Sequence, residues 1–353
     1  MNPITNILET KYDYLWKSLI RPPRDKYTLK DLGSSKFTLS SHSYKRTDIK
    51  LYNSKKMRLE CSFWEPFDEE RQYERLPVII YLPGNSSSRV EVIPLLNYIL
   101  PMNITVFSFD PCGSGLSEGE YISLGYHEKN DVQTVLNYLK GSNKVSTIGL
   151  WGRSMGAVTA LLSCRENNWN NIINCAVLDS CFSSLNKLVN EYVNKVVPFL
   201  PNFFIEIIKK YVSDIIEKKV NMRIEKIEPI KDAELCNNIP VLFCHAIDDD
   251  FVRKEHSKDL YEKYSGPKEI IMFEGGHNSK RPLHVLQIIS LFFYDKLKVD
   301  NLHVLNEEYD NNLIKDDDDY NDDDDDVGNE EYKYSSVNSI DVKSNIQSYF
   351  DTV

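Results

Sequence analysis

The sequence has no apolar run that approaches the ~20 residues needed to cross a bilayer, which argues against a membrane-spanning helix. Its seven cysteines are odd in number, and no two form a Cys-x-x-Cys pair. That pattern argues against a disulfide framework and a zinc site, and it favours a reducing compartment, the cytoplasm. The first residues also lack a basic segment followed by an apolar one, and position 2 is not glycine, so we expect neither a secretory signal nor N-myristoylation.

Basic residues are scarce at the carboxyl end, and this accounts for the acidity of the chain. The 353 residues carry a formal net charge of −11, yet residues 300–353 alone hold 17 acidic residues and 3 lysines. The other 299 residues carry 39 basic and 36 acidic groups, so they give no signal for a nucleic-acid partner. We predict that residues 299–353 form a disordered, low-complexity acidic tail, because like charges repel and little apolar surface is available. A tail that binds cations or a protein partner is the alternative.

Residues 1–40 are predicted to be an N-terminal extension that contains one amphipathic helix. Between Ile4 and Ile20 apolar residues recur at spacings of three and four, which is typical of a helix with one apolar face. The pattern ends at Pro22 and Pro23, which cannot continue a helix. We favour packing of the apolar face on the domain, and contact with a membrane surface is the alternative.

The pattern of residues 41–298 indicates one α/β domain. Tyr44–Tyr52 and Met57–Trp64 are strand-like and are separated by a hairpin signal. After Pro77, short apolar strands alternate with helical segments, which indicates a mostly parallel sheet covered by helices on both faces. The predicted strands of this part are Val78–Leu82, Thr105–Phe109, Val145–Trp151, Cys175–Leu178, Val241–Cys244 and Glu269–Phe273. In such folds the functional loops lie at the carboxyl ends of the strands.

One of these strands runs directly into a motif that is typical of a nucleophilic serine. Val145–Trp151 is followed by Gly152-Arg153-Ser154-Met155-Gly156 and then by a helix-forming stretch. A G-x-S-x-G sequence between a strand and a helix makes a sharp turn that lifts the serine hydroxyl above the sheet. We therefore predict Ser154 as a catalytic nucleophile. An ordinary strand–turn–helix with incidental glycines is the alternative.

A serine nucleophile needs a base, and the base needs an acid that orients it. His277 follows the strand Glu269–Phe273 and a Gly-Gly pair, which lets the loop turn back over the sheet. The acid should lie between nucleophile and base in the chain, where the preceding strand leads to Asp248, Asp249 and Asp250. Burying more than one carboxylate beside the imidazole is costly, so we predict Asp249 as the acid, with Asp248 as the alternative.

Acyl transfer also needs backbone N–H groups aimed at the tetrahedral intermediate. Met155 directly follows the nucleophile and is predicted to supply one of them. The second is expected from the loop after Val78–Leu82, where Asn85 is the predicted donor. This serine-rich loop also matches a simple helix-capping turn, and the two interpretations are compatible.

Together these motifs resemble the α/β-hydrolase fold serine hydrolases. The resemblance covers about residues 40–298 and rests on Leu82-Pro83-Gly84-Asn85, Phe109-Asp110-Pro111-Cys112-Gly113-Ser114-Gly115-Leu116-Ser117, Gly152–Gly156, Asp249 and His277. It is nearest to the serine aminopeptidase-like branch, including monoglyceride lipase-like enzymes, and to depalmitoylating ABHD-type thioesterases. It implies an eight-stranded, mostly parallel sheet with an antiparallel first hairpin, a Ser154–Asp249–His277 triad, and an oxyanion hole at Asn85 and Met155.

Two positions depart from the pattern of that family. Pro83-Gly84 stands where the family commonly has His-Gly before the oxyanion residue, which bears on the geometry of that loop. Ala246 stands where glycine is common three residues before the acid. Neither change removes a catalytic atom.

The chain between Asp179 and Pro240 is longer than one crossover helix requires. Apolar residues recur there at helical spacing from Phe203 to Ile216. The family carries an insertion at this place, so the resemblance implies a helical cap at about residues 183–230, over the pocket. We favour packing of its apolar stripe on the core, and an acyl chain or a membrane surface is the alternative partner.

These expectations combine into a serine hydrolase that cleaves carboxylic esters or thioesters through an acyl-enzyme, with no metal and no organic cofactor. Its expected partner is a small-molecule or lipid acyl substrate. An aminopeptidase or amidase of the same fold is one alternative, because a triad alone does not select the leaving group. A catalytically silent binding protein is the alternative from another class. The sequence carries no signal for an oligomeric state.

Overall fold

The computed structural model describes residues 15–166, 168–169, 171–196, 201–303 and 305–306. The chain divides into two units, Met1–Asp300 and Asn301–Val353, of which the first contains the sheet and the candidate site. Two of the sequence predictions lie outside the described residues. They are the start of the amphipathic helix, residues 4–14, and nearly all of the acidic tail, residues 307–353.

The first unit is built on one sheet. Its strands are Lys36–Leu39 (β1), His42–Tyr52 (β2), Arg58–Pro66 (β3), Leu76–Leu82 (β4), Thr105–Phe109 (β5), Val145–Arg153 (β6), Ile173–Asp179 (β7), Val241–Ala246 (β8) and Lys268–Phe273 (β9). Their order across the sheet is β1-β2-β3-β5-β4-β6-β7-β8-β9. The pairs β1–β2, β2–β3 and β3–β5 are antiparallel and the others are parallel. The prediction of a mostly parallel sheet with an antiparallel start is confirmed.

The predicted count of eight strands is wrong by one. The additional strand is β1, which pairs antiparallel with β2 and places Lys36 opposite Lys45. Its four residues alternate between exposed and half-buried at the edge of the sheet, which is too short a pattern to indicate a strand from the sequence. The other predicted strands are present, and their ends differ from the predicted ones by no more than two residues.

Helices surround the sheet. Residues 15–20 are helical (α1), and the further α-helices are Leu96–Ile99 (α2), Glu128–Gly141 (α3), Met155–Arg165 (α4), Leu185–Val196 (α5), Asn202–Val220 (α6), Pro229–Ala233 (α7), Glu255–Lys263 (α8) and Leu283–Lys296 (α9). Short 3₁₀ helices cover Asp68–Glu70, Arg89–Leu95, Leu100–Met102, Ile224–Lys226 and Val299–Asn301. No helix within the described ranges has both the length and the apolarity to cross a membrane.

Both faces of the sheet are covered, because side chains of a strand alternate in direction. On β6, Ile148 and Leu150 belong to the main apolar core, which also contains most of α4. Trp151 points the other way and lies 5.9 Å, between ring centroids, from Phe293 of α9. Gly149 faces the same ring so closely that a Cβ there would lie 2.8 Å from it. The alternation explains why the central strands are apolar throughout.

The N-terminal segment is attached to the domain by α1 and the residues after it. Trp16 and Ile20 of α1 are buried in the main core. Beyond the helix, Arg24 donates hydrogen bonds to backbone carbonyls in the loop after β5, including that of Ser117 at 2.9 Å. The Tyr27 hydroxyl donates to the carboxylate of Asp110 at 2.6 Å. The part of the predicted amphipathic helix that the structure describes therefore packs on the domain.

The connection from β7 to β8 contains α5, α6, a 3₁₀ helix and α7, in the range predicted to form a cap. Ile205, Val212 and Ile216 of α6 are buried in the core, which agrees with the favoured interpretation of the apolar stripe. On the same helix Phe203 and Ile207 are 71% and 49% exposed. The helix therefore presents apolar side chains on two faces.

Candidate active site

The turn from β6 to α4 holds Ser154 in an uncommon backbone conformation. Its φ is 52° and its ψ is −113°, a region that residues with a Cβ seldom occupy. The neighbouring glycines allow the turn, since a Cβ on Gly152 would lie 2.1 Å from the carbonyl oxygen of Gly156. A Cβ on Gly156 would lie 2.0 Å from the carbonyl oxygen of Leu82. Strand, turn and helix thus have the geometry that a nucleophile elbow requires.

Asn85 and Met155, whose backbone N–H groups the sequence predicts as oxyanion donors, line a cavity together with Ser154. Met155 is the first residue of α4, where an N–H has no partner within its own helix. The positive end of the helix dipole lies at the same place. Two cavities, described below, adjoin Ser154. Asn85, in the turn after β4, borders both of them, and Met155 borders one.

His277 and Asp249 form a hydrogen-bonded pair. The distance from His277 Nδ1 to Asp249 Oδ2 is 2.7 Å. The other carboxylate oxygen accepts hydrogen bonds from the backbone N–H groups of Phe251 at 3.0 Å and Val252 at 2.8 Å. Burial by itself raises the pKa of Asp249, but hydrogen bonds from His245 and His277 outweigh it and hold the pKa far below its ordinary value. The carboxylate is therefore charged at neutral pH and fixes the direction of the imidazole.

His245 also contacts the carboxylate of Asp249. It is fully buried, and its Nε2 lies 2.7 Å from the carbonyl oxygen of Val252 and 3.4 Å from Asp249 Oδ2. A carbonyl can only accept, so Nε2 carries the proton, while Nδ1 meets the hydroxyl of Ser257 at 2.6 Å. The sequence predicts His245 as a structural residue, but its proximity to Asp249 carries no sequence signal.

The neighbours of Asp249 point elsewhere. Asp250 is exposed and its carboxylate accepts a hydrogen bond from Lys195 at 2.6 Å. Asp248 is also exposed, and its backbone N–H donates to the carbonyl of Gly275 at 3.0 Å. Among these three carboxylates the structure places the predicted one, Asp249, against the imidazole.

Ser154 and His277 line the same open cleft, which we call the catalytic cleft. Its walls are the turn after β4, the elbow, the loops that carry Asp250 and His277, and Ser18, Pro22 and Pro23 of the N-terminal segment. The ring of Phe251 lies 5.2 Å from the His277 ring, between centroids, and also borders the cleft. The cleft therefore brings together the predicted nucleophile, the predicted base and Asn85.

Arg153 links two of these walls, and the sequence interpretation missed this role. Its guanidinium forms an ion pair with Glu91, whose carboxylate accepts a hydrogen bond from the Gly84 N–H at 3.0 Å. It also donates to the carbonyl of His277 at 3.0 Å and to the side-chain oxygen of Asn278 at 2.9 Å. Burial opposes its charge, but the Glu91 carboxylate outweighs burial and raises the pKa of Arg153. The residue before the nucleophile thus joins the loop of Asn85 to the loop of His277.

A second arginine fixes the His277 loop to the sheet. Arg281 makes a two-pronged ion pair with Asp179 at the end of β7, at 2.7 and 2.8 Å. It also donates to the carbonyls of Ser279 at 2.7 Å and His277 at 3.3 Å. The carbonyl of Asp179 accepts from the Ser154 N–H at 2.8 Å. Ser154 and the loop that carries His277 are therefore tied to the same strand end.

A second space, the apolar cavity, adjoins Ser154 on the other side. Its volume is about 110 Å³, and Ser18, Asn85, Ser154 and Phe251 border both spaces. The rest of its wall is largely apolar and comes from α1, α5, α6 and nearby loops. It includes Leu124, Phe182, Leu188, Val189, Val193, Ile208 and Val212. Lys209 borders it too, but its ammonium pairs with Glu206 at 2.5 Å and Asn186 at 3.0 Å.

The described residues contain no cluster of metal ligands, and the pKa values of their thiols are raised. No group of His, Cys, Asp or Glu within them is arranged to hold a metal ion. All seven cysteines are free, and burial raises the pKa of Cys112 and of Cys236 to about 12. Neutral thiols of this kind are poor nucleophiles.

The comparisons with known proteins extend this description. No protein-family model matches the chain. It is 30% identical over 210 residues to the uncharacterized protein YqkD of Bacillus subtilis, a match of 57% of this chain and 64% of that protein. It is 29% identical over 222 residues to the alpha/beta hydrolase domain-containing protein WAV2 of Arabidopsis thaliana, covering 61% and 66%. The chain thus spans just under two thirds of the length of these relatives.

Solved structures with the same architecture are more distant in sequence. The Pyrococcus furiosus esterase Pf2001 superposes with a TM-score of 0.59 at 21% identity, over 78% of this chain and 98% of the esterase. The acetyl xylan esterase of a Paenibacillus species gives 0.55 at 18% identity, over 72% and 84%. The acylaminoacyl peptidase of Pyrococcus horikoshii gives 0.53 at 15% identity, over 72% and 42%. At such identities the likeness concerns the fold.

Proposed function

The chain has the α/β-hydrolase fold, and from this premise we propose that it is a serine hydrolase that cleaves carboxylic esters or thioesters of acyl groups. One observation carries the proposal. His277 is hydrogen-bonded to Asp249 at 2.7 Å, and it lines the same cleft as Ser154, which lies in a strained strand-to-helix turn. Fold alone does not imply activity, so the argument rests on these three side chains.

In the proposed reaction Ser154 Oγ attacks the carbonyl carbon of the substrate while His277 Nε2 accepts its proton. Asp249, held charged by its hydrogen bonds, keeps the proton on Nδ1 and stabilises the imidazolium that forms. The protonated His277 then donates to the leaving alcohol or thiol. Water activated by the same imidazole attacks the acyl-enzyme, and the acid is released with Ser154 restored.

The developing oxyanion would be stabilised by the backbone N–H groups of Met155 and Asn85. Met155 has the orientation of a first helical residue, and the positive end of α4 favours negative charge there. The turn that holds Asn85 is fixed through Gly84, Glu91 and Arg153, so the donor needs little rearrangement. Pro83 in place of the family's histidine leaves this support intact.

The apolar cavity supports an acyl group as the part of the substrate that is recognised. Its wall offers hydrocarbon contacts and few polar groups beyond Asn85, Ser154 and the hydroxyls of Ser18 and Tyr192. The relatives with solved structures include esterases and an acylaminoacyl peptidase, so amide cleavage by the same triad is the second candidate.

We place the protein in the cytoplasm, because its seven cysteines are unpaired.

An active-site-directed fluorophosphonate tests the proposal directly. We expect the wild type to be labelled and Ser154→Ala to be unlabelled, because the reagent reacts with an activated serine. Ser86→Ala is the matched control, since Ser86 is an exposed serine of the same cleft and should leave labelling intact. Hydrolysis of p-nitrophenyl esters, acyl thioesters and aminoacyl amides should then rank the leaving groups. A wild type that neither labels nor hydrolyses any of them would point to a silent binding protein.

A further inference from the structure

The N-terminal helix α1 contacts the apolar cavity as well as the core. Leu15, Ser18 and Leu19 lie on the cavity side, in the same wall as the residues of α5 and α6. Trp16 and Ile20 lie on the other side and are buried in the core. The two sets are spaced as two faces of one helix, so the extension contributes a wall to the space beside the nucleophile.

This wall is held in place by more than apolar packing. The carbonyl of Ile20 accepts a hydrogen bond from the Ile122 N–H at 2.8 Å. Arg24 and Tyr27 bind the loop after β5 and Asp110, and so fix the chain immediately after the helix. A wall with such anchors has a defined position relative to Ser154.

The helix α1 is also attached to α6, which borders the same cavity. The ammonium of Lys219, near the end of α6, lies 4.6 Å from the Trp16 ring centroid and 5.2 Å from that of Tyr121. The two rings are 6.5 Å apart, and Lys219 also meets the Tyr121 hydroxyl at 3.2 Å. Such cation–π contacts favour one relative position of α1 and α6.

The cavity has the composition and size for a short hydrocarbon chain. At about 110 Å³ it is of the order of the ~150 Å³ engineered cavity that takes up benzene, which indicates room for about six carbon atoms beyond the reacting carbonyl. Among the described residues of its wall, the one cationic side chain is Lys209, which is already paired with Glu206 and Asn186. An uncharged, unbranched acyl chain therefore fits this wall better than a charged group.

We propose that α1 is part of the substrate pocket and that Leu15 and Leu19 set the length of the acyl chain that Ser154 accepts. The proposal rests on the proposed hydrolase function and names its substrates as medium-chain acyl esters or thioesters. The N-terminal extension is then a specificity element, and the α/β domain supplies the reacting groups.

The test is the chain-length profile of kcat/KM for p-nitrophenyl esters from acetyl to dodecanoyl. We expect a wild-type optimum at hexanoyl to octanoyl. Leu19→Trp should lower kcat/KM for the octanoyl ester at least tenfold and leave kcat/KM for the acetyl ester within about twofold of the wild type. The reason is that a pocket discriminates roughly tenfold or more per misfitting methylene group. Leu19→Ala should move the optimum to longer chains. Leu29→Trp is the control, because Leu29 is 51% exposed and does not border the cavity.

Profiles of Leu19→Trp and Leu19→Ala that match the wild type would overturn the proposal while leaving the hydrolase function standing. Thermal unfolding of each variant shows whether a change in rate comes from loss of fold. If the wild type hydrolyses no ester at all, the proposed function fails. Octanoate binding to the Ser154→Ala protein then tests separately whether the cavity holds an acyl chain. Binding that Leu19→Trp abolishes and Leu29→Trp preserves supports the role of α1, whereas equal binding in both contradicts it.

Discussion

The two spaces on either side of Ser154 are built in opposite ways. The catalytic cleft is bordered mainly by loops at strand ends, together with Ser18, Pro22 and Pro23 of the N-terminal segment. Charged groups tie the strand-end loops together, since Arg153 joins Glu91 to His277 and Arg281 joins Asp179 to the same loop. The apolar cavity is bordered by helices α1, α5 and α6, whose contacts there are mostly hydrocarbon. Ser154 stands where the two meet.

The difference separates reaction chemistry from substrate selection. Hydrogen bonds and ion pairs are directional, so they hold the reacting groups to within small errors in position. Apolar contacts are not directional, so the helical side can change its shape by simple substitutions without moving the triad. A change on the cleft side should therefore lower the rate for every acyl chain alike, and a change on the helical side should alter which chain is preferred.

The largest expected effect is that of Asp249→Asn. Loss of the charged acceptor leaves the imidazole without its orienting partner, and we expect kcat to fall by about 10³–10⁴-fold for acetyl and octanoyl esters alike. Asp248→Asn is the matched control, because its side chain is exposed, and it should retain activity. Steady-state rates on both esters measure the effect. Equal losses in the two variants would remove Asp249 from its assigned role.

Arg153→Met should have a smaller effect that is again the same for both esters. The substitution removes the ion pair with Glu91 and the hydrogen bonds to the His277 loop, although Arg281 still holds that loop. We expect kcat to fall on the order of tenfold to a hundredfold, as for small displacements of reacting groups, with partial recovery in Arg153→Lys. The control is Arg165→Met, whose ion pair with Asp232 lies away from the cleft. A loss confined to long chains would contradict the separation of the two sides.

On the helical side, Ile208→Trp should change selectivity and leave the rate with acetyl esters near the wild-type value. The indole fills the cavity, so we expect kcat/KM for octanoyl esters to fall roughly tenfold. Ile207→Trp, one residue earlier on α6 and 49% exposed, does not border the cavity and serves as the control. The ratio of octanoyl to acetyl kcat/KM is the measured quantity. An unchanged ratio in Ile208→Trp would show that the cavity does not hold the acyl group.

The smallest effect is expected for deletion of residues 307–353. The acidic tail is predicted from its composition to contribute neither to the core nor to the site. We expect kcat/KM for both esters to stay within about twofold, as for changes at exposed positions. Rates and thermal unfolding of the shortened chain provide the measurement. A drop in activity would mean that the tail takes part in the reaction or in holding one of the two sides.

The sequence predicted the cleft side better than the helical side, and the reason is physical. Ser154, Asp249 and His277 each lie within four residues of the end of an apolar strand. Parallel strands end at one edge of a sheet, so three local signals imply one place in space. The strand signals were equally local, and β1 was not predicted because four alternating residues are too short a pattern to indicate a strand. The prediction of Asp249 among three adjacent aspartates was based on the order of the acid in the chain and on the cost of burying more than one charge, and it kept Asp248 as the alternative.

The helical side depends on contacts between segments that are far apart in the chain. The amphipathic pattern of α1 indicated that one face packs, but it could not show that a second face with Leu15 and Leu19 borders the cavity. Nor could the charge pattern pair Arg153 with Glu91, because the two residues lie 62 positions apart in the chain. Such pairings follow from the packing of whole elements and from no single motif.

The backbone at Ser154 implies a trade-off between the stability of the fold and its activity. Glycine adopts positive φ at no steric cost, whereas serine at φ 52° is strained. A glycine at position 154 would relax the elbow and remove the hydroxyl in the same step, so this one substitution would strengthen the turn and abolish the reaction. Selection for a more durable molecule can therefore improve almost any other part of this chain before it can improve the turn that holds the nucleophile.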